Sequence, residues 1–296
     1  MWSRMKQGIK TAVRNLTGVL VAITLLRSLP LSVRKWIVLR LGRYNFAGQY
    51  FFAAELLRDF ARTDPMRFHQ FLWEHHVGGH AYGKTYEIAY RFGEENLKPS
   101  RRELCEMLRT ELSARGIAPE NQVQSVFDVG CSLGYMLHFL ETQVFPSATC
   151  LQGLDVDRYA VTAGNEHLRR VESKVALLAG EISDLDSVMG KRKYDVILCC
   201  GVLMYLDEEA AASAIQTMLA HTQKILGVIS LADPRIDNAQ LPQSYARTED
   251  LGFVHNVDRM VRKAGGQVIN RKWTGPEEAT RYSRNPPLFT LAEPHT

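Results

Sequence analysis

The stretch VFDVGCSLGY, residues 126–135, places an acid and then small residues at alternate positions: Asp128, Gly130, Ser132 and Gly134. Glycines where a strand turns into a helix leave main-chain N–H groups open and let a ligand lie against bare backbone. Dinucleotide-binding turns use the same device with the spacing G-x-G-x-x-G. Here the spacing is G-x-S-x-G, with an acid two residues before the first glycine. A carboxylate at 128, facing the ligand from a strand end, repels a pyrophosphate and suits a cationic amino group.

A second acid, Asp155, ends the next apolar run. An acid at that place accepts hydrogen bonds from both ribose hydroxyls, which serves dinucleotide and adenosyl ligands alike. Asp128 is the discriminator between them. An amino group, a ribose and an adenine on one ligand describe S-adenosyl-L-methionine.

Positioning these acids requires strands that end side by side. From residue 124 on, strand-like and helix-like stretches alternate. SVFDVG, CLQGLDVD, VALLAGE, YDVILCCG and ILGVISLADP read as strands. GYMLHFLETQ, RYAVTAGNEHLRR and DEEAAASAIQTMLAHTQ read as helices, the last capped by Asp207. YDVILCCG is apolar almost throughout, as expected of a strand covered on both faces. A further helix stops at Gly265–Gly266, and QVINRKW and PLFTLAEP read as two closing strands. The pattern predicts an α/β fold with a parallel doubly wound sheet. Ligands then bind at the carboxyl ends of its strands.

In this order and spacing, residues 124–294 resemble the class I S-adenosylmethionine-dependent methyltransferases. VFDVGCSLG looks like the family's first motif, with Ser132 in place of the usual middle glycine. GLDVD looks like the second, which places Asp155 and Val156 at the ribose. LAGEISDL looks like the acidic loop after the third strand, with Glu181 and Ile182 where the family often has an acid near the adenine. YDVILCCGVLMYL looks like the fourth-strand motif, with Met204 and Tyr205 replacing the common Glu-His pair. The resemblance implies a cofactor site of Asp128, Gly130, Cys131, Ser132, Gly134, Asp155, Val156, Glu181, Ile182, Cys200 and Gly201. It implies a Rossmann-like doubly wound sheet, mostly parallel with an antiparallel last strand, and methyl transfer in line to an acceptor, with S-adenosyl-L-methionine as cofactor and no metal. Two other classes remain open on sequence: an NAD-dependent oxidoreductase, and a non-catalytic membrane-associated adaptor that keeps the fold.

If the acceptor is a hydroxyl, a nearby base assists. Residues 69–93 concentrate His69, His75, His76 and His80 with Trp73, Tyr82, Tyr86 and Tyr90. In the family this segment commonly closes over the ligands. That makes Tyr82 and Tyr86 candidate cofactor contacts, and His76 and His80 candidate bases beside Asp233 at the end of the fifth strand. A surface helix and turn packed with His and Tyr explains the segment equally well. Gly78–Gly79 interrupt any helix joining His76 to His80, which disfavours a metal site there. The polar loop 235–250 offers Arg235, Tyr245 and Arg247 for a phosphate, sugar or carboxylate; a solvated loop explains them equally well. NPPLF, residues 285–289, stands before the last strand and reads as a turn. DNA-base methylation is therefore not expected, nor is any nucleic-acid partner.

The chain has 296 residues, of which 46% are hydrophobic and 23% charged, ordinary for a globular protein and against disorder. Of its 36 Lys and Arg, nine lie in residues 1–54, which hold no Asp or Glu; the other 27 face 32 acids. Five cysteines without a CxxC pair fit neither a disulfide framework nor a zinc site, and suit a reducing compartment. The apolar run 16–26 is short of the roughly 20 residues a span needs. A transit peptide fits the Arg-rich, acid-free start, while a signal peptide lacks a clean cleavage site. The preferred reading is a basic helical segment over residues 1–45, lying on an anionic membrane surface or serving as a lid. The expected layout is a helical N-terminal region, residues 1–120, followed by an S-adenosylmethionine-binding domain, residues 121–296. The protein is expected to be cytoplasmic, and peripheral on the inner face of a membrane if the basic segment binds lipid. The expected acceptor is a small molecule, a saccharide or a lipid-linked group, methylated on oxygen.

Overall fold

Alternating strand and helix signals become a sheet once each apolar strand is covered, and the computed structural model builds that sheet from residue 125 on. It describes residues 23–41, 53, 55–75, 97–248, 250–275 and 286–295. The chain divides into two compact units, residues 1–83 and 84–296.

In the first unit, helix α1 spans Leu31–Leu41, α2 spans Arg58–Thr63 and α3 spans Pro65–Glu74. Asp64 caps α3 as its sequence suggests, accepting the Arg67 N–H at 3.0 Å, with Pro65 in the first turn. The buried Arg34 of α1 donates to the Leu56 carbonyl at 3.0 Å and to both carboxylate oxygens of Asp59.

The second unit opens with α4, Pro99–Ala114, whose Leu104, Leu108 and Leu112 recur every fourth residue and are fully buried. Ser100 and Glu103 have the spacing of a capping box, but none is formed. Pro99, with its fixed φ and no N–H, takes the first helical position and makes Lys98 the cap. Glu103 instead accepts from Lys272 Nζ at 2.8 Å. The leucine face of α4 joins one core with Ile225, Ile229, Phe289 and Leu291 of the sheet. A boundary near residue 120 therefore differs from the compact division at 83/84, because α4 finds its apolar partners on the sheet.

Strands β1 (Ser125–Val129), β2 (Cys150–Asp155), β3 (Val175–Ala179), β4 (Tyr194–Cys200) and β5 (Thr222–Leu231) are parallel. A small antiparallel hairpin follows, β6 (Tyr245–Ala246) with β7 (Phe253–Val254). Strands β8 (Gly266–Trp273) and β9 (Pro287–Pro294) complete the seven-stranded sheet in the order β3-β2-β1-β4-β5-β9-β8. β9 runs antiparallel to both of its neighbours and begins at Pro287, so Pro287–Phe289 lie in the last strand and not in a turn before it. The connections carry helices α5 (Tyr135–Phe139), α6 (Arg158–Arg170), α7 (Glu208–Ala220) and α8 (Val257–Lys263), besides short helical turns at Pro119–Gln122 and Leu185–Met189. Asp157, Asp207 and Asn256 cap α6, α7 and α8 through their side chains. Strand order reverses between β1 and β4, so a crevice is expected outside their carboxyl ends, where β2 also ends.

Candidate active site

Asp128 pairs with Leu198 of β4 and Gly153 of β2, one residue before β1 ends. Its side chain is buried, and its Oδ1 has no hydrogen-bond partner. Burial pushes its pKa up to about 7; the charge of Arg101 opposes that rise and the charge of Asp155 adds to it. A buried carboxylate oxygen left without a donor is costly, and such groups call for an explanation. A cationic ligand donating to Oδ1 supplies one.

The turn after β1 is tied to the next strand end. Gly130 and Cys131 both donate to the Leu154 carbonyl, at 2.8 and 3.2 Å. Ser132 donates its N–H to Asp155 Oδ2 at 2.7 Å, and Gly134 donates to the Cys131 carbonyl at 2.9 Å. The expectation that the turn offers open N–H groups therefore fails at these four positions. Nor do the glycines mainly clear space for a ligand. A Cβ on Gly130 would lie 2.1 Å from Val202 Cγ2, and one on Gly134 would lie 2.9 Å from Leu177 Cδ2. Their φ values of +77° and +78° suit glycine. Ser132 adopts φ +50° without being a glycine. The Cys131 side chain is buried over Gly153, so only its main chain is left to face a ligand.

Asp155 accepts a second N–H, from Asp157 at 2.9 Å to Oδ1. Burial raises its pKa to about 6, against the two N–H donors that favour the carboxylate. Val156 is half-buried beside it. After β3, Glu181 is exposed and Ile182 half-buried, and the Glu181 N–H is held by Asp184 Oδ2 at 3.0 Å. After β4, Cys200 is buried and Gly201 takes φ +78°, with open space where a Cβ would stand. Asp128, the 130–134 turn, Asp155, Cys200 and Gly201 thus gather at three adjacent strand ends. His76, His80, Tyr82 and Tyr86 lie outside the described residues.

Arg101, on the first turn of α4, is the group that motif reading missed. Its Nη2 donates to the Cys200 carbonyl at 3.4 Å, and its guanidinium lies 5.6 Å from the centre of the Tyr135 ring. Burial works against its charge, but Tyr135, Cys200 and Asp128 more than offset this and raise its pKa. A signal was present in the sequence. Lys98, Arg101 and Arg102 crowd a helix N-terminus, where the macrodipole disfavours cations. Such a cluster needs a local reason.

Asp233, beyond β5, is differently employed. Its Oδ1 accepts the N–H groups of Arg235 and Ile236, at 2.7 and 3.1 Å, and its Oδ2 accepts the Tyr245 hydroxyl at 2.5 Å. Burial would raise its pKa, but these donors hold it below the usual carboxylate range. The loop 235–250 is more than a solvated stretch. Asn238 is fully buried and binds the Leu231 and His255 carbonyls, and Tyr245 opens the hairpin. His255 lies between Ser244 Oγ and the Leu203 carbonyl, at 2.8 and 2.9 Å, fastening the hairpin to the turn after β4. Met204 and Tyr245 pack on Leu231, Leu241 and Val254. Arg247 pairs with Asp250.

Residues 127–227 match the family model described as a methyltransferase domain. No curated protein matches the chain. Among solved structures, the chain is similar to an S-adenosylmethionine-dependent methyltransferase from Clostridium acetobutylicum, with 11% identity, 72% of this chain and 98% of that one covered, and a TM-score of 0.50. It is similar to magnesium protoporphyrin IX methyltransferase from Synechocystis, solved with bound SAH, with 14% identity, coverage of 78% and 100%, and a TM-score of 0.51. It is also similar to the [4+2]-cyclase SpnF, with 15% identity, coverage of 66% and 82%, and a TM-score of 0.50. At these identities the likeness is one of fold, and one fold serves more than one reaction.

Proposed function

We propose that the chain is a class I S-adenosylmethionine-dependent methyltransferase that methylates an oxygen of a small-molecule, saccharide or lipid-linked acceptor, a reading supported by the methyltransferase-domain match over residues 127–227 and by the fold it shares with such an enzyme. The observation that carries the cofactor assignment to particular residues is the buried Asp128 Oδ1 without a donor, next to a turn whose N–H groups at 130, 131, 132 and 134 are already spent. Such a site offers a pyrophosphate two acids and withholds those four donors, which disfavours NAD. It offers an ammonium an acceptor and a ribose a carboxylate, so the residues present fit the cofactor.

When bound, S-adenosylmethionine supplies an electrophilic methyl group on a sulfonium. The chain's own residues hold and orient it. Asp128 receives the amino group, Asp155 the ribose through the lone pairs its two N–H donors leave over, and Arg101 the carboxylate. Glu181 and Ile182 stand at the adenine, and the main chain at 130–134, Val156, Cys200 and Gly201 forms the walls. Tyr82 and Tyr86 are proposed to close over it. His76 or His80 is proposed as the base that takes the acceptor's proton. Asp233 is the weaker choice, since both its oxygens already serve the loop and its pKa is lowered. Met204, where the family often has an acid, gives the acceptor side an apolar wall. The acid-free residues 1–54 support an acceptor met at an anionic membrane surface through residues 1–45, with the protein cytoplasmic and peripheral.

Equilibrium binding of S-adenosylmethionine against NAD tests the assignment. Binding of the first and not the second is expected; NAD binding alone overturns it. Binding without methyl transfer to any lipid or small-molecule extract would favour an adaptor.

A further inference from the structure

Helix α1 is patterned inside out. Its buried face carries Arg34, 5% exposed, and Val38, 1% exposed. Its opposite face carries Val33, 40% exposed, Trp36, 57% exposed, and the exposed Arg40. Residues 33, 36 and 40 are spaced three and four apart and share one side of the helix. Leu25, on the preceding turn, is 69% exposed. A helix facing only water would place the guanidinium outside and the indole inside.

The charges are sorted as well. Arg34 pairs with both carboxylate oxygens of Asp59, and Arg27 and Arg58 both meet Glu55. Lys35 lies over the rings of Phe60 and Phe71, at 4.1 and 5.1 Å. Arg40 instead lies 5.5 Å from the Trp36 ring, on the outward side. No acid is present on α1, nor anywhere in residues 1–54, which carry nine basic residues. Among the described residues no helix is long and apolar enough to cross a membrane. Tryptophan beside arginine, ringed by aliphatic side chains and net positive charge, is the composition that settles at a lipid headgroup boundary.

We propose that the outward face of α1 formed by Val33, Trp36 and Arg40, together with the exposed Leu25 that precedes the helix, docks this protein onto an anionic lipid surface. The inference rests on the membrane reading of the acceptor given above and names the surface that performs it.

The test is co-sedimentation of the full chain with phosphatidylcholine vesicles, with and without phosphatidylglycerol. The wild type is expected to bind the anionic vesicles and to be released by salt. The triple variant L25S/V33S/W36S is expected to bind at least about tenfold more weakly while still binding S-adenosylmethionine like the wild type. Should the triple variant fold poorly, W36S and L25S alone are expected to give smaller losses in the same direction. A wild type that binds no vesicle overturns both this proposal and the membrane reading. Wild-type binding that the variants leave unchanged overturns this face alone, and so does equal binding to neutral vesicles. A wild-type dimer that the triple variant converts to monomer assigns the face to a second copy instead, and overturns the lipid proposal.

Discussion

Ser132 and Asp155 are joined by a hydrogen bond of 2.7 Å, from the main-chain N–H of one to Oδ2 of the other. The bond closes the turn after β1 onto the end of β2, and it forms while Ser132 holds φ +50°. One carboxylate thus shapes the turn and, in the function proposed here, receives a ligand. The two roles separate by experiment. Asp155→Ala removes the acceptor of the Ser132 and Asp157 N–H groups, so the ligand-free chain should lose about 1–3 kcal/mol of stability. Urea denaturation without ligand measures this. An unchanged midpoint would mean that the acid serves the ligand alone.

Ser132 itself should be replaceable at a gain. A non-glycine residue in the left-handed region costs about 1–2 kcal/mol, partly regained in the unfolded state where glycine is freer. Ser132→Gly is therefore expected to stabilise the chain by about 0.5–1 kcal/mol with cofactor affinity within about twofold of wild type. Ser132→Ala keeps the strain and should give no such gain. A destabilised glycine variant would show that the serine side chain contributes more than its backbone costs.

Asp128 provides a pH signature with two signs. Its folded pKa of about 7 lies above the ordinary 3.8, so its contribution to stability is present below the ordinary value and lost as pH rises through about 7. The ligand-free wild type should lose melting temperature across that window relative to Asp128→Asn, which cannot titrate. Ligand binding should run the other way. An ammonium favours the carboxylate, so wild-type affinity for S-adenosylmethionine should rise with pH up to about 7 and then level off, while the variant's stays flat. Thermal melts and calorimetric titrations at the same pH values measure both. Parallel slopes in wild type and variant would remove Asp128 from the role.

Much of this was readable before any coordinates. Alternation of apolar strands with helices predicts the doubly wound sheet, and Asp207 announces its helix. Asp128 and Asp155 are readable because acids at strand ends are chemically conspicuous. Three features were not. The fate of the N–H groups at 130–134 depends on Leu154 and Asp155, which only the parallel pairing of β1 with β2 brings alongside. Arg101 is 27 residues before Asp128, and its role depends on where the leucine face of α4 packs. Asp233 looks like a base in sequence because its partners Ile236 and Tyr245 reach it only when the loop folds back.

Arg101 should matter through charge and through shape. Arg101→Ala removes the positive charge that opposes the rise in Asp128's pKa. The pH at which affinity levels off should then move above its wild-type position. Affinity at neutral pH should fall about tenfold to a hundredfold if the guanidinium also holds the ligand's carboxylate. Arg101→Lys restores the charge without the planar fork, so it should return the pH midpoint while recovering only part of the affinity. Binding titrations across pH separate the two. A lysine variant equal to wild type in both would reduce Arg101 to a point charge.

Asp233 is the last candidate to sort, and its geometry argues for a staple. A general base works best with a pKa near the working pH, whereas the Tyr245 hydroxyl and two N–H groups hold this carboxylate below its usual range. With its folded value depressed, Asp233 contributes stability above the unfolded value and loses it as pH falls through the folded one. It therefore stays ionised through the neutral range and gives no rate limb there. Tyr245→Phe should lower stability by about 1 kcal/mol and leave the pH–rate profile unshifted, because a positioned carboxylate remains. Asp233→Asn should cost more, since the amide accepts at only one end and sets its NH2 against donors that the carboxylate satisfied. Denaturant melts of both variants, read beside methyl transfer at several pH values, decide the role. A tyrosine variant with wild-type stability and a shifted acid limb would make Asp233 the base after all.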